Sequence, residues 1–299
     1  MSNDSYKILV IIVTYNGMKW LDKCLSSVVN STVKADLFIV DNGSTDGSIE
    51  FIEKNYPNAQ FIISKENLGF GKANNFGLQY AIDHQYDYVY LLNQDAWVEP
   101  TTIETLIQIH QQDNKFGILS PLQVNREKTR LDKAFATCCN QDMLSDILMH
   151  QSLKSIYETD FVMAAHWLIS RECLTTVGGF SPTFPHYGED TNYINRAKYF
   201  GIKIGISPIT NGIHDREERM TSKEKILHMY KMTWVDILSN PLLKRKNKFG
   251  KLIISIIGCM NIAPFKTIVN FTKTLFEQRK IAKYRTLSLT SGAFLRTSN

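Results

Sequence analysis

The sequence predicts an α/β fold: a mostly parallel sheet with helices on both faces, followed by a C-terminal helical extension. Three observations carry this. Short apolar runs such as Lys7–Thr14 (KILVIIVT) and Tyr88–Leu92 (YVYLL) lack polar alternation, as strands buried on both faces do. Segments of helical periodicity stand between the runs, as in right-handed βαβ units. Each of the first four runs ends in a loop rich in Asn, Asp, Gly, Ser or Thr, so that four polar loops fall along one rim of the sheet, where ligands of open α/β sheets bind.

Taken in order, Lys7–Thr14 is the first strand, and Lys19–Val29 a helix with Trp20, Leu21, Leu25, Val28 and Val29 on one side. Asp36–Val40 is a second strand ending in Asp41-Asn42-Gly43-Ser44-Thr45-Asp46-Gly47, where Ser44 or Thr45 caps the next helix. Ala59–Ser64 is a third strand, and Lys65–Gly71 a loop opening a helix through Ala81. Tyr88–Leu92 follows and stops at Asn93-Gln94-Asp95. A helix then runs from Pro100 to about Asp113, with a short strand at Phe116–Ser120. Gln123–Glu158 is polar and irregular and reads as a loop near the substrate. Asp160–Ser170 returns to strand character, Gly178-Gly179-Phe180 turns the chain, and Gly188-Glu189-Asp190 opens a helix through Phe200. Lys203–Ser207 is a last strand, Asn211–Asp215 a polar turn, and the chain beyond Glu218 is helical.

Composition narrows the classes. With 299 residues and 43% hydrophobic content the chain has material for a packed core. Five cysteines, Cys24, Cys138, Cys139, Cys173 and Cys259, show no CxxC spacing, which predicts free thiols in a reducing compartment and neither a zinc site nor a disulfide framework. The first residues, Met1–Lys7, lack the features of a secretory signal. The longest apolar stretch, Leu252–Pro264, is interrupted by Asn261 and falls short of the roughly 20 residues a spanning helix needs. Charge divides unevenly. From Leu242 onward 12 Lys or Arg stand against Glu277 alone, whereas residues 1–241 carry a net charge of −6.

Two phosphate-binding motifs are tested and fail. GxxxxGK[ST] is absent, and the turn after the first strand, Thr14-Tyr15-Asn16-Gly17, lacks a dinucleotide fingerprint. Gly69-Phe70-Gly71-Lys72-Ala73-Asn74 follows the third strand and has Asn where the third Gly belongs, which argues against a dehydrogenase. Its glycines still let backbone approach a ligand, and the helix start behind them offers N–H groups to an anion.

The motifs Val13-Thr14-Tyr15-Asn16, Asp41–Gly47, Asn67-Leu68-Gly69-Phe70 with Asn74-Asn75, Leu91–Asp95, Gly178-Gly179-Phe180 and Gly188-Glu189-Asp190 follow one another in the order seen in family 2 glycosyltransferases of GT-A fold. The match covers roughly residues 7–215, and the chain most resembles the rhamnosyltransferase-like bacterial branch. That resemblance implies a GT-A catalytic domain over residues 1–218 and a basic amphipathic helical region over 219–299.

It also implies roles. Thr14, Tyr15, Asn16, Asp41, Asn42 and Gly43 would hold the nucleotide, a carboxylate being suited to accept from an imide N–H or ribose hydroxyls. Asn67, Gly69, Gly71 and Asn74 would lie beside the donor. The family's DxD motif falls on Asn93, Gln94 and Asp95, with only the last carboxylate kept. Asp95, with His214 completing the shell, would bind Mn²⁺ or Mg²⁺ on the donor diphosphate. Asp190 matches the base, Glu189 competes for that role, and the helix start would keep Asp190 ionised. His166, Trp167, His186 and Tyr187 would contact the donor sugar or the acceptor.

The expected activity is inverting transfer of a hexose or deoxyhexose from a UDP- or dTDP-sugar to a growing, lipid-linked surface glycan, on the cytoplasmic side. A sugar-phosphate nucleotidyltransferase is the alternative enzyme, but the Gly-rich basic loop it needs after the first strand is missing. A non-catalytic nucleotide-sugar-binding protein is the third reading, motivated by Asn93. The basic region suits either an anionic membrane surface at the inner leaflet or packing on the core with a homodimer interface. Its aromatics form no stacking platform, so nucleic acid is not an expected partner.

Overall fold

The computed structural model describes residues 6–216 and 222–295. The expected boundary after 218 and part of the amino-terminal reading lie outside the described residues. The elements, in order, are β1 (Ile8–Thr14), α1 (Met18–Val29), β2 (Asp36–Asp41), α2 (Ser48–Asn55), β3 (Gln60–Ile63), α3 (Phe70–Asp83), β4 (Tyr88–Asn93), β5 (Ala96–Val98) and α4 (Thr102–Gln112). There follow β6 (Phe116–Val124), a 3-10 turn at Phe135–Cys138, α5 (Gln141–Leu148), β7 (Tyr157–Glu158), β8 (His166–Ser170), α6 (Arg171–Val177), α7 (Glu189–Tyr199) and β9 (Lys203–His214). Four helices complete the described chain: α8 (Lys223–Ser239), α9 (Arg245–Met260), α10 (Pro264–Phe276) and α11 (Gln278–Leu287).

The strands form one sheet in the order β3-β2-β1-β4-β8-β6-β9-β5, with β7 added to β9. β1 through β4 pair in parallel, as do β6 and β9, whereas β8, β5 and β7 run antiparallel to their partners. The uninterrupted apolar runs are explained by two cores. Ile8, Val10, Ile12, Tyr88, Tyr90 and Leu92 point to the layer containing Leu21, Leu25, Ile103 and Leu106 of α1 and α4. Leu9, Ile11, Val89 and Leu91 point the other way, onto α3, α6 and α7. Each such side chain taken from water contributes roughly 1.5–3 kcal/mol, so a polar residue in either strand is costly whichever face it meets. Close packing also demands Gly77 in α3, where a Cβ would lie 2.7 Å from Ile11 Cδ1.

Several expectations are corrected. β5 was not foreseen, its three residues pairing with Gly212–His214 of β9. The polar turn expected at Asn211–Asp215 is instead the end of β9, which runs past Ser207 after a register shift that loops out Pro208–Thr210. Proline has no N–H for the ladder, so the strand bulges there and resumes. β8 is shorter than expected, because β4 offers only Tyr88–Leu92 for it to pair with. The supposedly irregular Gln123–Glu158 contains α5, capped by Asn140 on Met143 N–H, and the β7 bridge.

The C-terminal helices pack on the α/β part. Phe184 joins Met232, Val235 and Ile281 in one cluster, and Leu227, Trp234 and Cys259 centre a second between α8, α9 and α10. Residues 291–295 then return to α6: Gly179 N–H donates to Ala293 O (2.8 Å), and a Cβ on Gly178 would meet that oxygen at 2.1 Å. Phe294 lies over the fully buried Arg196 of α7, whose guanidinium donates to the carbonyls of Val177 and Gly179.

Candidate active site

The sheet order reverses between β1 and β4, and that switch point opens a crevice at their carboxyl ends. Three loops are tied together there. Asn16, at φ 48°, donates its N–H to Ser44 Oγ (2.8 Å) and accepts from Thr45 N–H on Oδ1 (2.9 Å), fastening the β1 loop to the β2 loop. Asn42 accepts from Leu68 N–H (3.4 Å), fastening β2 to β3. Gln94 accepts from Thr14 Oγ1 and Tyr15 N–H (2.9 and 2.7 Å) and donates to Tyr15 O, so it braces the β1 loop from behind. A Cβ on Gly17 would sit 2.5 Å from the Gln94 oxygen, which is why this close approach needs glycine.

Asp41 is the centre of this end. Its Oδ1 accepts from Gly43 and Ser44 N–H (2.9 and 2.8 Å), while Oδ2 is buried without a hydrogen-bond partner. A buried lone carboxylate oxygen is costly unless a donor completes it. Beyond it, Asn67 is exposed and accepts from Gly69 N–H (2.9 Å). Gly69, at φ 78°, lies so near the loop before α7 that a Cβ would be 2.3 Å from Pro185 O. Gly71 likewise lets α3 approach Phe180 and Glu189, so the starts of α3 and α7 meet.

On the opposite side, Asn93 and Asp95 leave β4 partly exposed, and antiparallel β5 and β9 carry His214 back to Asp95. His214 Nε2 is 3.4 Å from Asp95 Oδ1, and Nδ1 is 3.5 Å from Asp132 Oδ2. These exceed a good hydrogen bond, and buried Nδ1 has no hydrogen-bond partner. Asp132 Oδ1 is engaged by the N–H groups of Ala134 and Phe135 (2.9 Å each), so its other oxygen is fixed toward the imidazole. A ring proton held on Nδ1 toward Asp132 would leave Nε2 and Asp95 Oδ1 as two acceptors open to a divalent cation, whereas without a cation the ring is able to donate to Asp95. Among the described residues no group of three or more His, Cys, Asp or Glu is arranged to hold a metal. The pair therefore fits a cation that takes its remaining ligands from diphosphate and water. Burial works against charge on Asp95, but His214 and Arg216 outweigh it and hold its carboxyl below the usual range.

Glu189 and Asp190 open α7 behind Gly188, which is in the left-handed region at φ 90°. Burial, followed by the charge of Asp190, pushes the Glu189 carboxyl up to about 7, and its Oε2 is buried without a partner. Burial also raises Asp190, against the pull of Thr191 N–H (2.7 Å) and Arg216. Desolvation thus works against the helix end at Asp190 and leaves its carboxyl above the ordinary value. The charge of Arg216 acts on both Asp95 and Asp190, and its Nε is 3.7 Å from Asp132. Cys138, which feels Asp190 and Asp132, lines a cleft of about 550 Å³ with Asn140, Glu158 and Phe161. His186 and Tyr187 are exposed, the latter at φ 66°, and both touch His228 of α8.

Three expected site residues lie elsewhere. Trp167 has 0% exposure, donates its indole N–H to Val162 O and stacks on Phe180, so no ring face is left for a sugar. His166 is also fully buried between Tyr90 OH (2.9 Å) and Ile213 O (3.1 Å), and burial lowers it to about 3. It is a neutral strut that aligns β9 just before His214, and Gly212 is needed because a Cβ would strike its ring. Asn74 is 1% exposed and donates to Phe70 O (2.9 Å) within α3. Its neighbour Asn75 clamps the backbone of Phe180 instead, with bonds of 2.7 and 2.9 Å. Asp132 and Arg216 were not singled out from sequence, and no local motif marks either.

Comparison with known proteins follows this geometry. The sequence profile described as Glycosyl transferase family 2 matches residues 9–174. A cholesterol galactosyltransferase of Borreliella burgdorferi is 30% identical over 183 residues, covering 56% of this chain and 49% of that protein. The low-salt glycan biosynthesis hexosyltransferase Agl10 of Haloferax volcanii is 25% identical over 227 residues, covering 74% and 71%. The chain thus spans about half the length of the first relative and most of the second. A crystal structure of S. aureus TarS 1-349 with UDP aligns over 94% of this chain and 89% of that one, at TM-score 0.56 and 16% identity. A structure of GalNAc-T7 with UDP, GalNAc and Mn²⁺ aligns over 77% and 48%, at TM-score 0.58 and 15% identity.

Proposed function

Since the chain belongs to glycosyl transferase family 2 and has the GT-A fold, we propose that it is an inverting, metal-assisted hexosyltransferase. Its donor in this reading is a UDP- or dTDP-linked hexose or deoxyhexose. Its acceptor is a growing, lipid-linked cell-surface glycan on the cytoplasmic side. The observation that supports the reading is that Asp95, 3.4 Å from His214, and Asp190, at the start of α7, both feel the charge of Arg216. In this reading Asp95 serves a cation and Asp190 a proton. The solved neighbours crystallised with UDP, and one of them with Mn²⁺, support the donor class, and a lipid acceptor is in the printed name of the Borreliella relative.

In this mechanism the Asp41 Oδ2 accepts from the base or ribose, and the loops braced by Asn16, Asn42 and Gln94 hold that oxygen in place. Asp95 and His214 would hold a divalent cation, whose chemistry would be to offset the charge of the diphosphate. Asp190 accepts the proton of the acceptor hydroxyl, which attacks the anomeric carbon opposite the leaving group. A carboxylate raised by burial is a better base than a solvated one. Burial pushes neighbouring Glu189 up to about 7, so in this reading Asp190 carries the negative charge of the pair.

Turnover of UDP- and dTDP-sugars with Mn²⁺ present, and after EDTA, tests the reading. Asp190→Ala is expected to lose about 10²–10⁴-fold in turnover while UDP still raises the melting temperature. Full activity in Asp190→Ala removes the base assignment, and full activity in EDTA removes the metal. Donor binding without turnover by any wild-type preparation would favour a non-catalytic sugar-nucleotide binder.

A further inference from the structure

We propose that the outer faces of α9 and α10 form a docking surface for an anionic lipid bilayer. Both helices use one side to pack on α8, with Leu252, Ile256 and Cys259 from α9 and Phe271 from α10 in the shared cluster. Many of their other apolar residues are exposed. Phe249 is 70% exposed and Ile254 73% on α9, and Phe265 is 78% and Phe276 85% exposed on α10. Their spacing makes this a pattern. Phe249, Ile253 and Ile257 recur every four residues on one side of α9, and Ile268 and Leu275 extend the stripe of α10. Large aromatics are the side chains that a soluble surface least tolerates together.

Charge identifies the occupant. Exposed Lys246 and Lys251 lie on α9, and on α10 Lys273 accompanies Lys266, the latter paired with Glu224 of α8 at 3.2 Å. Glu277 is the only acidic residue from Leu242 onward. A second copy docking about a twofold axis would set this basic face against itself. An anionic bilayer complements it, and apolar side chains bordered by lysines are what lie at the headgroup boundary. No helix among the described residues is long and apolar enough to cross a membrane, so the chain would rest on the surface. The placement suits the site, because α8 carries α9 and α10 on one side and presents Lys225 and His228 to Tyr187 on another. One helix layer, about 10 Å, then separates the lipid from the loop before α7.

Flotation of the full chain with phosphatidylcholine vesicles, with and without one third phosphatidylglycerol, tests this without any need for turnover. Capture is expected on the anionic vesicles and to fall with salt. The triple variant Phe249→Ser, Phe265→Ser, Phe276→Ser should lose at least about tenfold in partitioning, and Lys246→Gln and Lys251→Gln about fivefold each. The melting temperature and its rise with UDP should be unchanged in the lysine variants, which keeps the test valid should the triple variant unfold. Equal flotation on both vesicle types overturns the proposal, as does wild-type partitioning by the lysine variants. So does a wild-type dimer that the triple variant converts to monomer while vesicles capture neither.

Discussion

Asp132→Asn tests how His214 is held. Asparagine keeps a carbonyl oxygen for the N–H groups of Ala134 and Phe135, so the turn at Phe135–Cys138 should survive. What then faces His214 Nδ1, 3.5 Å away, is an amide donor in place of a carboxylate. The imidazole answers with a bare Nδ1 and a proton on Nε2, and that proton points at Asp95 Oδ1. The lone pair available to a cation is thereby lost. Changing an outer partner of a metal-binding histidine costs 10–100-fold in affinity, which is about 1.4–2.7 kcal/mol. Electron paramagnetic resonance of free Mn²⁺, titrated at constant pH with UDP present, reads this directly, and thermal melting checks the fold. Wild-type Mn²⁺ affinity in a folded Asp132→Asn would refute the positioning argument. Asp132→Ala should lose the same affinity and also about 1–2 kcal/mol of stability, since two buried N–H groups then lack an acceptor.

Three other outcomes are expected. Asp41→Asn keeps an acceptor for Gly43 and Ser44 but removes the buried anionic oxygen. Calorimetric UDP affinity should fall about 10–100-fold, the worth of a hydrogen bond to a charged group, and an unchanged value would remove Asp41 from the nucleotide site. Gly69→Ala strains a backbone at φ 78° and drives a methyl into Pro185 O, whereas Gly47→Ala at φ 89° meets no atom within 4 Å. The first should melt lower by about 1.5–2 °C per kcal/mol of clash for a chain of this length, and equal melting of the two variants would show that the close approach contributes nothing. Glu189 at about 7, against an ordinary 4.5, means the folded chain keeps a proton that the unfolded chain releases between those values. Its contribution is favourable below pH 4.5, declines as pH rises to 7 and stays at its lowest above, a change of up to about 3 kcal/mol. In Glu189→Gln the difference in denaturant midpoint between pH 5 and pH 8 should shrink, and a difference equal to the wild type's refutes the assignment.

The residues legible in sequence are those whose role is set by their own strand. β1 and β4 announce themselves because both faces are covered, and Asp41 and Asp95 because polar residues end an apolar run. What stayed hidden depends on distant partners. β5 is only three residues long and exists because β9 arrives beside it from more than 100 residues away. Asp132 reaches His214 through the excursion closed by the Val124 to Leu131 bridge, which has no local signature. Trp167 and His166 misled because a strand next to a binding crevice and a strand in mid-sheet look alike when both faces are apolar. At Asp190 the helix-start electrostatics are visible in sequence, whereas the burial that opposes them is not.

The return of residues 291–295 to Gly178-Gly179 has a consequence for biosynthesis. The guanidinium of Arg196, on the helix that begins with Glu189 and Asp190, receives its Phe294 cover only after nearly 100 further residues are made. At ordinary elongation rates that is about 5–20 s. Over that interval β9 is made and the sheet is completed, but Arg196 still lacks its Phe294 cover. The seat of α7 is therefore finished only when residues 291–295 arrive, well after β1 to β4 and their loops are able to fold.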